Sequence, residues 1–200
     1  MRLFLFLAIV FSVSLSSAQS KKLLVLGDSL TEGYGVAKDQ AFPAVLEKKI
    51  HEGGKKEWTV INAGVSGSTT ASGISRMKWA FKNKPDLMIL ALGANDGLRG
   101  LKVEESEKNL GQAIEYAQEQ KVPIVLAGLF MPPNYGKEYT EKFKKMYVSL
   151  SKKYKVTLIP FVLDKVAGDP KLNLADGIHP NEAGHKIVAE TVYQEIKGLL

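Results

Sequence analysis

The chain has 200 residues, the size of one domain and enough to bury a substantial core. It contains no cysteine, which excludes disulfides, thiol catalysis and a lipid anchor on a cysteine, so the fold must rest on its core alone. The net charge of +6 is carried almost wholly by lysine; Arg76 and Arg99 are the only arginines after Arg2, and nucleic-acid recognition, which favours Arg, is not expected.

Met1-Arg2, an apolar run from Leu3 to Leu15 and the small residues Ser16-Ser17-Ala18 have the three parts of a secretory signal. Residues 1–18 are therefore predicted to be a signal peptide, with 19–200 forming a single exported domain, periplasmic or secreted. The apolar run is shorter than the roughly 20 residues a spanning helix needs. Cleavage removes Arg2 from the 27 Lys+Arg, and against 21 Asp+Glu the charge falls from +6 to +5.

Five short apolar runs follow: Leu23 to Leu26, Trp58 to Ile61, Leu87 to Leu92, Val122 to Ala127 and Val156 to Ile159. They are continuous rather than alternating, as strands covered on both faces should be. Between them, Phe42/Val45/Leu46/Ile50, Ile74/Met77/Phe81, Leu110/Ala113/Ile114/Ala117 and Phe143/Met146/Tyr147/Leu150 have the spacing of one apolar helix stripe each, and Val188/Val192/Ile196/Leu199 adds a C-terminal helix. The lysines from Lys142 to Lys155 read as the solvated face and exit of a helix, and support at most peripheral contact with a membrane surface. The alternation predicts a three-layer α/β/α domain around a five-stranded parallel sheet, with the flavodoxin-like order 2-1-3-4-5.

That order has a chemical consequence, because it sets the exits of the first three strands side by side. They carry Gly27-Asp28-Ser29, Asn62-Ala63-Gly64 and Gly93-Ala94-Asn95-Asp96, three polar glycine-rich loops on one crevice. Each could be an ordinary turn, and Ser29 could be a helix cap. As a nucleophile, Ser29 needs a base within hydrogen-bond reach. His51, late in the first helix, reads as a surface residue; His185, at the start of the last, as a partly exposed one. His179 lies in Asp176-Gly177-Ile178-His179-Pro180, where Asp176 can turn back to hold the imidazole in one tautomer. A metal site on Asp176, His179 and His185 is the weaker reading, for lack of further ligands. Donors for a developing oxyanion are available in the amides of Ser29 and Gly64 and the side chain of Asn95.

Taken together, Gly27-Asp28-Ser29-Leu30, Asn62-Ala63-Gly64 with Ser66-Gly67, Gly93-Ala94-Asn95-Asp96 and Asp176-Gly177-Ile178-His179-Pro180 resemble, in order, the four blocks of the SGNH hydrolase superfamily, also called GDSL esterases and lipases. Asn95-Asp96-Gly97-Leu98-Arg99-Gly100 and Pro133-Asn134-Tyr135-Gly136-Lys137 are similar to stretches of its small bacterial thioesterase, lysophospholipase and arylesterase branch. The resemblance implies a cofactor-free, metal-free monomer that hydrolyses carboxylic esters and thioesters of medium or long acyl chains. It implies Ser29 as nucleophile, His179 as base and then acid, Asp176 as its orienter, and Ser29, Gly64 and Asn95 as the oxyanion hole. Leu30 and Ile178 would border the acyl site with Gly64 and Asn95, between flanking loops at Gly97 to Gly100 and Met131 to Gly136. A carbohydrate O-acetylesterase using the same residues, or a module that binds lipid or glycan without turnover, are the alternatives.

Overall fold

A computed structural model describes residues 20–200, so the predicted signal peptide lies outside the described residues. Five strands, β1 (Lys21–Gly27), β2 (Trp58–Gly64), β3 (Leu87–Ala91), β4 (Ile124–Ala127) and β5 (Thr157–Ile159), form one sheet ordered β2-β1-β3-β4-β5. Every pair is parallel. The intervening helices are α1 (Ser29–Glu32), α2 (Phe42–Glu52), α3 (Gly73–Ala80), α4 (Ala94–Leu98), α5 (Val103–Glu119) and α6 (Lys137–Tyr154), and α7 (Glu182–Ile196) follows β5. Among the described residues no helix is long and apolar enough to cross a membrane.

The chain steps outward from β1 to β2, then reverses across β1 to β3, β4 and β5. Right-handed crossovers therefore put α2 on one face and α3, α5 and α6 on the other, and α7 returns to pack on α2. The continuous apolar runs are buried throughout in β3 and β4 and from Leu23 onward in β1. The expectation of two covered faces fails for the edges: only Trp58 of β2 and Ile159 of β5 are buried, because an edge strand has a neighbouring strand on one side only. The fourth strand also starts two residues later than predicted. Val122 spends its amide on the Ala117 carbonyl that closes α5, and Pro123 has no amide to donate.

The reversal leaves β1 between β2 and β3 with their ends level: Gly27 pairs with Gly64 on one side and with Ala91 on the other. A side chain at 27 is impossible there, since a Cβ would stand 1.9 Å from Thr31 Oγ1 and 2.9 Å from the Ala91 carbonyl. This close approach lets α1 begin at once, so Ser29 emerges at the rim of the sheet. Arg76 of α3 reaches under the same rim and forks its guanidinium between the carbonyls of Gly27 and Ala63. One side chain thus ties together the ends of the two strands that bear the first two loops.

Replacing Arg76 with Ala leaves those two part-buried carbonyls without their charged donor. Urea unfolding should show a loss of about 2 kcal/mol. Arg76→Lys should recover little of it, because one ammonium cannot match the planar fork; a lysine variant as stable as wild type would show that charge alone suffices.

Candidate active site

Ser29 is the first residue of α1, and Asp28 before it caps the helix by accepting the Leu30 amide at 3.0 Å. Asp28 is fully buried. Burial pushes its carboxyl up to about 6, against the opposing pull of the Leu30 and Asp28 amides, His179 and Arg76.

The loop that carries Asp176 and His179 comes from the far end of the chain. Between β5 and α7 the segment folds back on itself: the Leu174 amide donates to the His179 carbonyl at 2.7 Å and the Asn181 amide to the Leu172 carbonyl at 2.9 Å. Asn173 anchors it through the carbonyls of Val166 and Asp169, and Asn181 caps α7 by accepting the amides of Ala183 and Gly184. At its tip Gly177 takes a φ of +73°. Asp176 Oδ1 accepts the Ile178 and His179 amides, both at 3.0 Å, and its Oδ2 lies 2.7 Å from His179 Nδ1. His179 Nε2 stands 2.9 Å from Ser29 Oγ. Desolvation alone would raise the Asp176 carboxyl, but the two amides and the imidazole together hold it down at about 2. Ser29, His179 and Asp176 therefore form one hydrogen-bonded chain, with the carboxylate charged at every ordinary pH.

On the other side of Ser29, Asn95 lies in α4 and donates from Nδ2 to the Ser68 carbonyl at 3.0 Å; its second neighbour, Asp28 Oδ2, is at 3.5 Å, too far to hold a proton firmly. Gly64 departs from expectation. Its amide already donates to Asn62 Oδ1 at 2.9 Å. A Cβ at 64 would lie 2.1 Å from the Glu32 amide nitrogen, so this glycine serves the close packing of β2 on α1. Three residues on, Gly67 has a φ of +76°, its carbonyl accepts Arg99 Nη2 at 3.1 Å, and its amide has no hydrogen-bond partner among the described residues. Gly67 is joined to Ser68, whose carbonyl Asn95 holds. The sequence reading takes Gly64, the first glycine of this block, as the donor and gives Gly67 no role. Glu32 fixes the loop by accepting the Ser66 amide at 2.7 Å and the Ser66 hydroxyl.

Ser29, Asn95 and His179 open on a cavity of about 430 Å³. Leu30 and Ile178 line it, as do Leu98, Met131 and Pro133 of the two flanking loops, and its far wall includes Phe130 and Phe161, stacked with centroids 4.3 Å apart. Neither Gly64 nor Gly67 is among the residues that line it.

The remaining histidines are elsewhere. His51 Nε2 lies 2.7 Å from the Trp58 carbonyl, joining the end of α2 to β2. His185 is a correction: it is buried, not partly exposed, because its Nδ1 accepts the Phe42 amide at 3.2 Å. Ala41, at the N-cap of α2, has no side-chain acceptor, so an imidazole from α7 takes that part. This also separates His185 from Asp176 and His179, and the metal reading loses its third ligand.

Residues 25–187 match the GDSL-like lipase/acylhydrolase family. The chain is 38% identical to an arylesterase of Vibrio mimicus over 95% of each chain. It is 33% identical to the thioesterase 1/protease 1/lysophospholipase L1 of Escherichia coli, over 98% of this chain and 92% of that one. The crystal structure of TesA, 36% identical, superposes with a TM-score of 0.86 over 90% of this chain and all of the other.

His185 gives the fold a pH signature. Burial first, then the nearby His179, pushes it from 6.5 down to about 4. The unfolded chain then binds the extra proton between those values, so the stability His185 contributes is complete above 6.5 and is lost as pH falls through 4. The stability gap between wild type and His185→Gln, measured by urea unfolding, should shrink by on the order of 2–3 kcal/mol from pH 7 to pH 4. A gap constant with pH would show that His185 does not titrate in this way.

Proposed function

The chain belongs to the GDSL-like lipase/acylhydrolase family and is an esterase, and we propose that Ser29, His179 and Asp176 carry out its acyl transfer. The observation that carries this reading is the unbroken chain from Ser29 Oγ to His179 Nε2, 2.9 Å, and from His179 Nδ1 to Asp176 Oδ2, 2.7 Å, at the mouth of an apolar cavity. His179 takes the proton as Ser29 Oγ bonds to the acyl carbon, and returns it to the leaving oxygen or sulfur as that bond breaks. Water, deprotonated by the same imidazole, then releases the acid and restores Ser29. Asp176 keeps Nδ1 protonated and stabilises the transient imidazolium.

Three donors serve the oxyanion: the Ser29 amide, the second hydrogen of Asn95 Nδ2, and the Gly67 amide in place of Gly64. Gly67 is preferred because its amide is unspent and its loop is held by Asn95 and Arg99.

The substrate is an ester or thioester with an apolar acyl chain. From β1 to β5 the cavity crosses three strand spacings of ~4.8 Å, or roughly 14 Å, which an extended chain of about ten carbons would fill. Leu30, Leu98, Met131 and the Phe130/Phe161 pair supply its apolar walls. This chemistry needs no cofactor, and one chain supplies every group it uses. If Met1 to Ala18 exports it, envelope lipids such as lysophospholipids are the accessible substrates rather than cytosolic acyl-CoA.

Ser29→Ala should lower the hydrolysis of p-nitrophenyl octanoate by at least about 10³-fold. Asp176 stays charged down to about 2, so its bond to the His179 imidazole should persist through the acid range. An alanine variant as fast as wild type would remove Ser29 from the mechanism. Across p-nitrophenyl esters of rising acyl length, kcat/KM should peak at medium chains of roughly eight to twelve carbons, the span of the cavity. A maximum at acetyl would favour a carbohydrate O-acetylesterase instead.

A further inference from the structure

The turn after α1 lays an aromatic ring on the base, and acyl transfer assigns that ring no part. Tyr34 stands between Gly33 and Gly35, whose φ values of +87° and +79° only glycine adopts readily, and its amide donates to the Ser29 carbonyl at 3.1 Å. Its ring centroid lies 4.6 Å from that of His179, with the planes 39° apart. The next residue makes a second contact with the same loop: a Cβ on Gly35 would stand 2.4 Å from Leu174 Cδ1, and the Leu174 amide donates to the His179 carbonyl at 2.7 Å. The nucleophile's own turn therefore touches the base loop twice, ring on ring and backbone on side chain.

The imidazole needs such a support. Its two hydrogen bonds lie at opposite edges of the ring, so they fix its direction but leave it free to tip about the line joining Nδ1 and Nε2. The Asp176 side chain is 37% exposed, and water competes for that edge. His179 lines the apolar cavity while Tyr34 does not, which leaves Tyr34 against the side of the imidazole turned away from substrate. Tyr34 is itself 53% exposed, and its hydroxyl makes no hydrogen bond among the described residues, so neither core packing nor a polar contact explains the ring. We propose that Tyr34 is a positioning residue: its ring braces the His179 imidazole in the orientation that brings Nε2 to Ser29 Oγ. An aromatic face also suits the imidazolium that forms when the serine proton is taken. This inference rests on His179 being the base.

The test is steady-state hydrolysis of p-nitrophenyl octanoate by Tyr34→Ala and Tyr34→Phe enzymes, with thermal unfolding followed in parallel. Tyr34→Ala should lower kcat by ~10- to 10²-fold, the cost of a small misplacement of the base, with KM little changed because the acyl cavity is untouched. Tyr34→Phe should restore most of the rate, because the ring makes the contact and the hydroxyl does not. Tyr34→Leu, which keeps apolar bulk without an aromatic face, should be slow like the alanine variant and serves in its place if alanine unfolds early. The proposal is overturned if the alanine or leucine variant runs within about twofold of wild type while His179→Ala is inactive, or if Tyr34→Phe is as slow as they are. A His179→Ala enzyme as active as wild type would instead remove the reading beneath it.

Discussion

Ser29 and His179 meet across 150 residues of sequence, and what allows it is the reversal of the sheet around β1. Because the chain leaves β1 on one side and returns on the other, the loops after β1, β2 and β3 share one rim. The last segment before α7 is the only piece that must be brought in from elsewhere. It arrives well braced, by the Leu174–His179 and Asn181–Leu172 backbone bonds and the side chain of Asn173. The site is assembled from four short loops, each held by the strand that precedes it or the helix that follows.

Close approach is the second theme. Gly27 permits α1 to start against β3, Gly64 permits β2 to end against Glu32, and Arg76 fastens the carbonyls of Gly27 and Ala63 from below. Polar side chains rather than apolar ones lock the rim. Asp96 of α4 accepts the Thr70 amide and hydroxyl and the Ser106 hydroxyl, binding α4 to the segment before α3 and to α5. These bonds hold Asn95 while leaving the cavity side apolar, which suits a site that must present a few donors to an otherwise greasy substrate.

Two aspartates near Ser29 have opposite environments and opposite acidities. Asp28 is buried beside Ser29 and pushed up to about 6; Asp176, on the open loop, is held at about 2 by the amides and imidazole it accepts. Only Asp176 is a dependable anion, and it is the one that bears on the imidazole. Asp28 instead serves backbone geometry, capping the helix whose first residue is Ser29. Burial also explains His185, kept neutral first by desolvation in the core and then by the nearby His179 while it caps α2.

Strand positions and helix faces were legible in the chain because period and run length are local, the strand order followed from the rule for doubly wound sheets, and buried strands β3 and β4 read most clearly. Edges were less so: the exposure of β2 and β5 follows from their place in the sheet, which no window of residues records. Asp176 and His179 could be paired from sequence because three residues and a glycine turn suffice to join them. The choice of Gly64 over Gly67 had no local signal to correct it, since the difference is which amide is already spent, and Asn62 decides that. His185, Arg76 and Tyr34 were unreadable for a related reason: each acts on a partner from another element, Phe42, Gly27 with Ala63, and His179.

By itself, then, the sequence determined the layered α/β plan, the four polar blocks and the short-range pairing of Asp176 with His179, all carried by spacing along the chain. Only the tertiary structure decided which amide near Ser29 remains unspent, which histidine is buried as a cap, which side chains line the cavity beside Ser29, and that the Tyr34 ring lies against His179. Those are properties of distances between segments brought together by the sheet's reversal, and a linear pattern does not contain them.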